Sequence, residues 1–272
     1  MKSIKEFLKH NKVLEGLLPK EKDIETNFIK DHIIISNSGR VTVDNDKIII
    51  DTDGSVEKYL GEEGIAIVFK GLRENALKTV FEKLVITHHG DNAVSLENCE
   101  LTFNLLCKLR HIDNVGNIHI YNCNSLKKIP WLDNCCGISI KDCHSLESVS
   151  DMNNYGYVKI ENCSSLKTIE NFKNNRYVLI RNCNSLKTIL GLKNKGDVNI
   201  EDCSSLEEVD DITNGGDVKV SGCNSLKTIL GLKNKGDVNI EDCSSLESVP
   251  WVYARKLNVK NCPNYKKNKK NN

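Results

Sequence analysis

The chain of 272 residues carries 38 Lys+Arg against 37 Asp+Glu, 39% apolar residues and 12 cysteines. A net charge of +1 excludes whole-surface attraction to nucleic acid or anionic lipid as the default mode of action, and no apolar run nears the roughly 20 residues that span a bilayer. The opening MKSIKEFLKHNKVLEGLL alternates charged and apolar residues and lacks the unbroken apolar stretch of a secretory signal, so a soluble cytoplasmic chain with reduced thiols is expected.

In chain order, Ile4, Phe7, Leu8, Leu14, Leu17 and Leu18 share one helical face, and Pro19 closes that segment. The runs HIIIS, RVTV and KIII, separated by SNSG and DND turns, predict short strands over residues 33–50. IAIVF at 65–69 predicts a strand, 72–83 an amphipathic stretch and LVIT at 84–87 another strand. VSLENCEL around Cys99 reads as a first, degenerate repeat. The expected division is an N-terminal capping region of helix and short strands over 1–92, a repeat array over 93–265, and a basic tail over 266–272.

The array is written in the cysteines. Cys123, Cys143, Cys163, Cys183, Cys203, Cys223 and Cys243 fall every 20 residues, and Cys262 follows after 19. A fixed period of this size means a solenoid. Five residues before each regular cysteine stands Ile or Val, from Ile118 to Val238, and three before it stands another, from Ile120 to Ile240. Leucine follows three residues after, from Leu126 to Leu246; further apolar residues follow six and nine after. The alternating V-x-I is a strand with one face inward, and Asp/Asn, Cys and Ser after it mark a turn. One such coil cannot bury its apolar edge, but a stack of them buries a continuous one, with parallel strands about 4.8 Å apart.

The string VNIEDCSSL resembles the leucine-rich repeat signature, in which a strand is followed by Asn or Cys. The resemblance covers about residues 115–262. It implies an α/β leucine-rich-repeat solenoid with a parallel β-sheet on its concave face and short non-helical or 3-10 segments on its convex face. Two features depart from the family: leucine comes three residues after Cys rather than two, and the units are short. A flatter right-handed β-helix is therefore the alternative.

The cysteines read as packing. Free cysteine is a small, often buried apolar residue, and thiols stacked one coil apart would point in parallel rather than toward one another. The serine two residues after each regular cysteine is expected to bond nearby backbone. Cys135 and Cys136 lack metal-site spacing, and His88 and His89 lack a zinc motif. No phosphate loop, dinucleotide fingerprint or nucleophile elbow occurs, so neither enzyme activity nor a metal or other cofactor is expected.

Function is then sought where the frame leaves residue choice free. Positions six, four, two and one before each cysteine are expected on the exposed concave sheet. Among them Tyr121, Lys141, Tyr157, Lys159, Tyr177, Leu179 and Arg181 form an aromatic and basic centre, with Tyr and Arg the types enriched in binding hot spots. The acidic strip that follows, Asp197, Glu201 and Asp202, recurs as Asp237, Glu241 and Asp242 because residues 183–207 and 223–247 are identical. It reads as solvated surface. Pro130-Trp131 and Pro250-Trp251 occupy equivalent positions and read as edge packing. The expected function is a monomeric, non-enzymatic module that binds a protein partner, with no nucleic acid and no membrane. The alternative is a structural or adhesin-like component of a larger assembly.

Overall fold

The protein, seen here as a computed structural model, is described over residues 33–35, 40–44, 47–51, 65–86, 92–111, 115–134 and 136–266. It is a parallel β-solenoid. The V-x-I segments become the rungs of an eleven-stranded sheet. Its rungs include Val115–Tyr121, Ile138–Lys141, Val158–Glu161, Val178–Arg181, Val198–Glu201, Val218–Ser221, Asp237–Glu241 and Lys256–Lys260. Pairing is in register one repeat apart, Ile138↔Val158 and Ile140↔Ile160 for example, so every inward residue sits on its own counterpart.

The return path is extended. Two further six-stranded parallel sheets run along the array, one through Ser148–Ser150 and Thr168–Glu170, the other through Met152–Asn154 and Lys173–Asn174. Three sheets around one core is the architecture of a parallel β-helix, and no coil from residue 115 onward contains a helix among the described residues. The expected helical share of an α/β class is confined to the first two coils, where Glu74–Lys83 and Phe103–Arg110 replace the short return strands and pack together. The second of these helices was not expected. Its Leu105, Leu106 and Leu109 are buried, and the first helix receives its N-terminal cap from a neighbouring coil, Glu74 N–H donating to Glu100 Oε2 at 3.2 Å.

The chain turns where left-handed backbone is tolerated. The residue before each cysteine has positive φ: Asn122, Asp142, Asn162, Asn182, Asp202 and Asp242 lie between 49° and 55°, and Gly222 lies at 67°. Asn, Asp and Gly are the residues that enter this region at least cost. A second left-handed corner falls eight residues after cysteine, at Asp151, Asn171, Gly191, Asp211, Gly231 and Trp251. The position directly before cysteine therefore belongs to a corner, not to the open sheet on which it was expected.

The core is continuous from Ile67 to Val249. Ile200, Cys203, Leu206, Val209 and Ile212 of one coil are all fully buried, and each such aliphatic contributes about 1.5–3 kcal/mol relative to exposure. The main sheet extends N-terminally through Asn92–Glu97 and Ile65–Lys70, and ends on Ile33–Ile35, its single antiparallel pairing. Arg40–Asp44, Lys47–Asp51 and Leu84–Ile86 form a separate three-stranded sheet. The expected helix over 4–18, His88, His89, Cys135 and residues 267–272 lie outside the described residues.

Inside the coils runs a ladder that the repeat frame did not reveal as such. Asn154, Asn174, Asn194, Asn214 and Asn234, eleven residues after their cysteines, are buried. The Nδ2 of each of the first four donates to the next Oδ1: Asn154 to Asn174 at 2.9 Å, Asn174 to Asn194 at 3.0 Å, Asn194 to Asn214 at 3.1 Å, Asn214 to Asn234 at 3.0 Å. The second proton goes to backbone, as from Asn194 to Gly196 O at 2.8 Å. A buried amide would be costly alone; stacked, it finds its partner in its own repeat.

Candidate functional site

The outward face of the main sheet carries two in-register rows, with Tyr157 and Tyr177 just before their strands. The row four residues before cysteine runs His119, Ser139, Lys159, Leu179, Asn199 and Lys219. At its N-terminal end this face is closed, with Ser95, His119 and Ser139 buried; further along, Lys159 and Asn199 are half-buried. Leu179, expected as an open apolar contact, is only 8% exposed between its neighbours.

The row two before cysteine alternates in sign: Lys141, Glu161, Arg181, Glu201. Arg181 is paired with Glu161, whose side chain is nearly buried, and Lys219 Nζ reaches Glu201 Oε1 at 3.0 Å. Opposite charges in adjacent rungs hold each other's side chains in place, whereas like charges would splay them.

The tyrosines are fixed as firmly. Lys141 Nζ lies 5.8 Å from the Tyr121 ring centre, and Lys159 Nζ lies 5.3 Å from that of Tyr157. The Tyr157 ring crosses Gly137 so closely that a Cβ there would collide with Cε1, and its hydroxyl stands 3.4 Å from His119 Nε2. Tyr177 accepts a hydrogen bond from Asn199 Nδ2 at 3.2 Å. Burial, aided by the charge of Glu201, raises its hydroxyl pKa. The expected residues thus fall on one face in neighbouring rungs, but as interlocked pairs. Glu161, His119 and Asn199, which residue type alone did not single out, complete them. The alternation of charge down one frame position was the signal available in the sequence.

The acidic strip does structural work. Asp197 Oδ1 accepts the backbone N–H of Asp217, and Asp217 Oδ1 that of Asp237, both at 2.8 Å, while Arg255 Nε donates to Asp237 Oδ1 at 2.8 Å. The Arg255 guanidinium holds the Asp237 carboxyl below its ordinary pKa. Among the described residues no group of three or more His, Cys, Asp or Glu side chains could hold a metal ion.

Cys99 and the seven regular cysteines from Cys123 to Cys243 line the interior as free thiols. Cys123 Sγ donates to Tyr121 O at 3.4 Å, and Cys203 Sγ to Glu201 O at 3.4 Å, so the thiol closes the turn after its own strand. Burial pushes Cys123 and Cys143 up to about 12. Such thiols are poor nucleophiles. Ser125 Oγ donates to Leu101 O at 3.0 Å, a backbone bond of the expected kind that reaches the preceding coil. Trp131 packs edge-on against Phe103 with ring centres 5.4 Å apart, whereas Trp251 is 79% exposed.

A groove of about 480 Å³ at the second corner, lined by Asp151, Lys173, Lys193 and Asp211 among others, contains none of these residues. No helix among the described residues is long and apolar enough to cross a membrane. Comparison of the chain with protein-family models, with curated proteins and with solved structures returned no match.

Proposed function

We propose that this chain is a non-enzymatic, protein-binding module that holds its partner on the outward face of the main sheet. The observation that carries the reading is the interlocking of Tyr121 with Lys141, Tyr157 with Lys159 and Arg181 with Glu161. Large side chains already held by neighbours lose little freedom on binding, which leaves more of their contact energy as affinity. In this reading the repeat is of the leucine-rich kind, and the chain acts as a cytoplasmic monomer. Free buried thiols fit a reducing compartment.

The test is crosslinking capture from cell extract with the intact chain beside two variants. One carries Tyr157→Ala and Tyr177→Ala; the other carries Arg181→Gln with Glu161→Gln, so that no buried carboxylate is left unpaired. Loss of specific captured proteins by both variants, with unchanged circular dichroism, is expected. Capture of identical sets by all three chains overturns the placement. A structural component of a larger assembly would instead form large particles on its own, which sedimentation of the purified chain reads directly.

A further inference from the structure

We propose that the C-terminal edge of the main sheet takes up an added β-strand from a different protein, one whose aliphatic residues are framed by acidic ones. This rests on other residues than the outward face does.

The edge is polarised for addition. Throughout the array, the residue five before cysteine donates its N–H to the following coil: Ile138 to Tyr157 O, Val158 to Tyr177 O, Val178 to Asp197 O and Val198 to Asp217 O, each at 2.9 Å. In Lys256–Lys260 the register Val238↔Leu257 and Ile240↔Val259 puts Leu257 and Val259 in these forward-facing positions. Their backbone groups are directed away from Asp237–Glu241, and that side holds no strand among the described residues. The side chains agree: Leu257, Val259, Cys262 and Tyr265 are only partly buried, although their counterparts Val238, Ile240, Cys243 and Leu246 are fully buried.

Charge selects the occupant. On the occupied side, the neighbour of KLNVK is DVNIE, with Asp237 opposite Lys256 and Glu241 opposite Lys260. The open side presents the same two lysines. A second copy joined edge to edge about a twofold axis would set Lys256 against Lys260, a like-charge pairing that destabilises a sheet. The other end of the sheet, Ile33–Ile35, offers no acid, and residues 267–272 read KNKKNN. Edge lysines are a common guard against self-association. Here they exclude the chain's own edges and admit a strand of pattern acid, aliphatic, any residue, aliphatic, acid.

The probe is a labelled, end-blocked peptide KGDVNIED, the sequence of residues 235–242, titrated against the whole chain by fluorescence anisotropy. Its comparator is KGKVNIKD. The acidic peptide is expected to bind about tenfold more tightly, since two opposite-charge pairs replace two like-charge ones. Lys256→Gln with Lys260→Gln should abolish the difference, while Tyr157→Ala with Tyr177→Ala should leave it intact. That separates failure here from failure of the outward-face reading. Equal affinity of the two peptides, absence of binding, or sedimentation of the chain as a dimer that the peptide does not dissociate would each overturn the proposal.

Discussion

The coil of Cys203 and the coil of Cys262 are written in nearly the same frame, yet one is sealed and the other half open. Val198, Ile200, Cys203 and Leu206 are fully buried; Leu257, Val259, Cys262 and Tyr265 are not. The residues differ little in apolar character. What differs is a neighbour on the far side. A solenoid coil draws its burial, its sheet hydrogen bonds and its amide ladder from both flanking coils, so its stability is a sum over interfaces rather than a property of its own sequence. Among the described residues the Cys262 coil has a neighbouring strand on one side only, and that leaves it an edge to offer.

The largest effect expected from this contrast is on packing. Leu206→Ala, in a sealed coil, should destabilise by about 2–5 kcal/mol, because the flanking coils cannot collapse into the space. Leu257→Ala should fall clearly below that range, since part of the side chain already meets solvent. Urea unfolding followed by circular dichroism measures both, and equal losses would break the comparison.

The thiols sharpen it through pH. Burial pushes Cys123 and Cys143 up to about 12, and for Cys183 the thiol of Cys163 beside it, with burial, does the same. An unfolded thiol ionises near 9.0. The folded pKa is the higher, so this contribution is fully present below about 9 and is lost as pH rises toward 12. Each such thiol steepens the loss by about 1.4 kcal/mol per pH unit in that window. Stability measured between pH 8 and pH 11 should fall steeply, and Cys143→Ala should reduce the slope by one proton.

The amide ladder gives effects of both signs. Asn194→Ala removes a donor to Asn214 and an acceptor from Asn174, stranding buried groups at about 1–3 kcal/mol each. The ladder stops at Asn234, because the equivalent residue of the next coil is Ala254. Asn234 Nδ2 is left with a bond to Asp237 O at 3.1 Å and no following amide. Ala254→Asn would supply that acceptor and should stabilise by about 0.5–1.5 kcal/mol in thermal unfolding.

Much of this was legible once the 20-residue frame was found. The inward positions could be read because apolar residues return in phase, and the strands at 33–35, 40–44, 47–51 and 65–70 because short alternating or aliphatic runs sat between turn residues. Asn194 was not legible as core, since a polar residue beside Lys and Gly reads as loop until a stacked copy supplies its partner. Asp142 and Asp202 were misplaced on the open sheet because alternation continued one residue too far; the left-handed corner interrupts it. Leu179 looked exposed because sequence gives a direction but not the size of the neighbours. Of the outward face, the frame showed which residues share it, whereas the pairing of Arg181 with Glu161 depends on register between coils.

The smallest effect concerns two tryptophans in one frame position. Trp131 packs on Phe103 of the preceding coil, and Trp131→Ala should destabilise by about 0.5–1.5 kcal/mol beyond the lost area. Trp251 has φ of 53° at a left-handed corner where the five preceding coils place Asp, Asn or Gly, and it is largely exposed. A bulky side chain held in left-handed backbone carries about 1–2 kcal/mol of strain, with little burial here to offset it. Trp251→Asn should therefore raise the melting temperature by a few degrees, on the order of 1 kcal/mol. Opposite signs at equivalent positions follow from backbone and contact together: Trp251 is left-handed and Trp131 is not, and Trp131 has Phe103 to receive it. If Trp251→Asn lowers the melting temperature instead, Trp251 contributes packing that its exposure conceals, and the return segment of the Cys243 coil is closer to the sealed ones than that exposure implies.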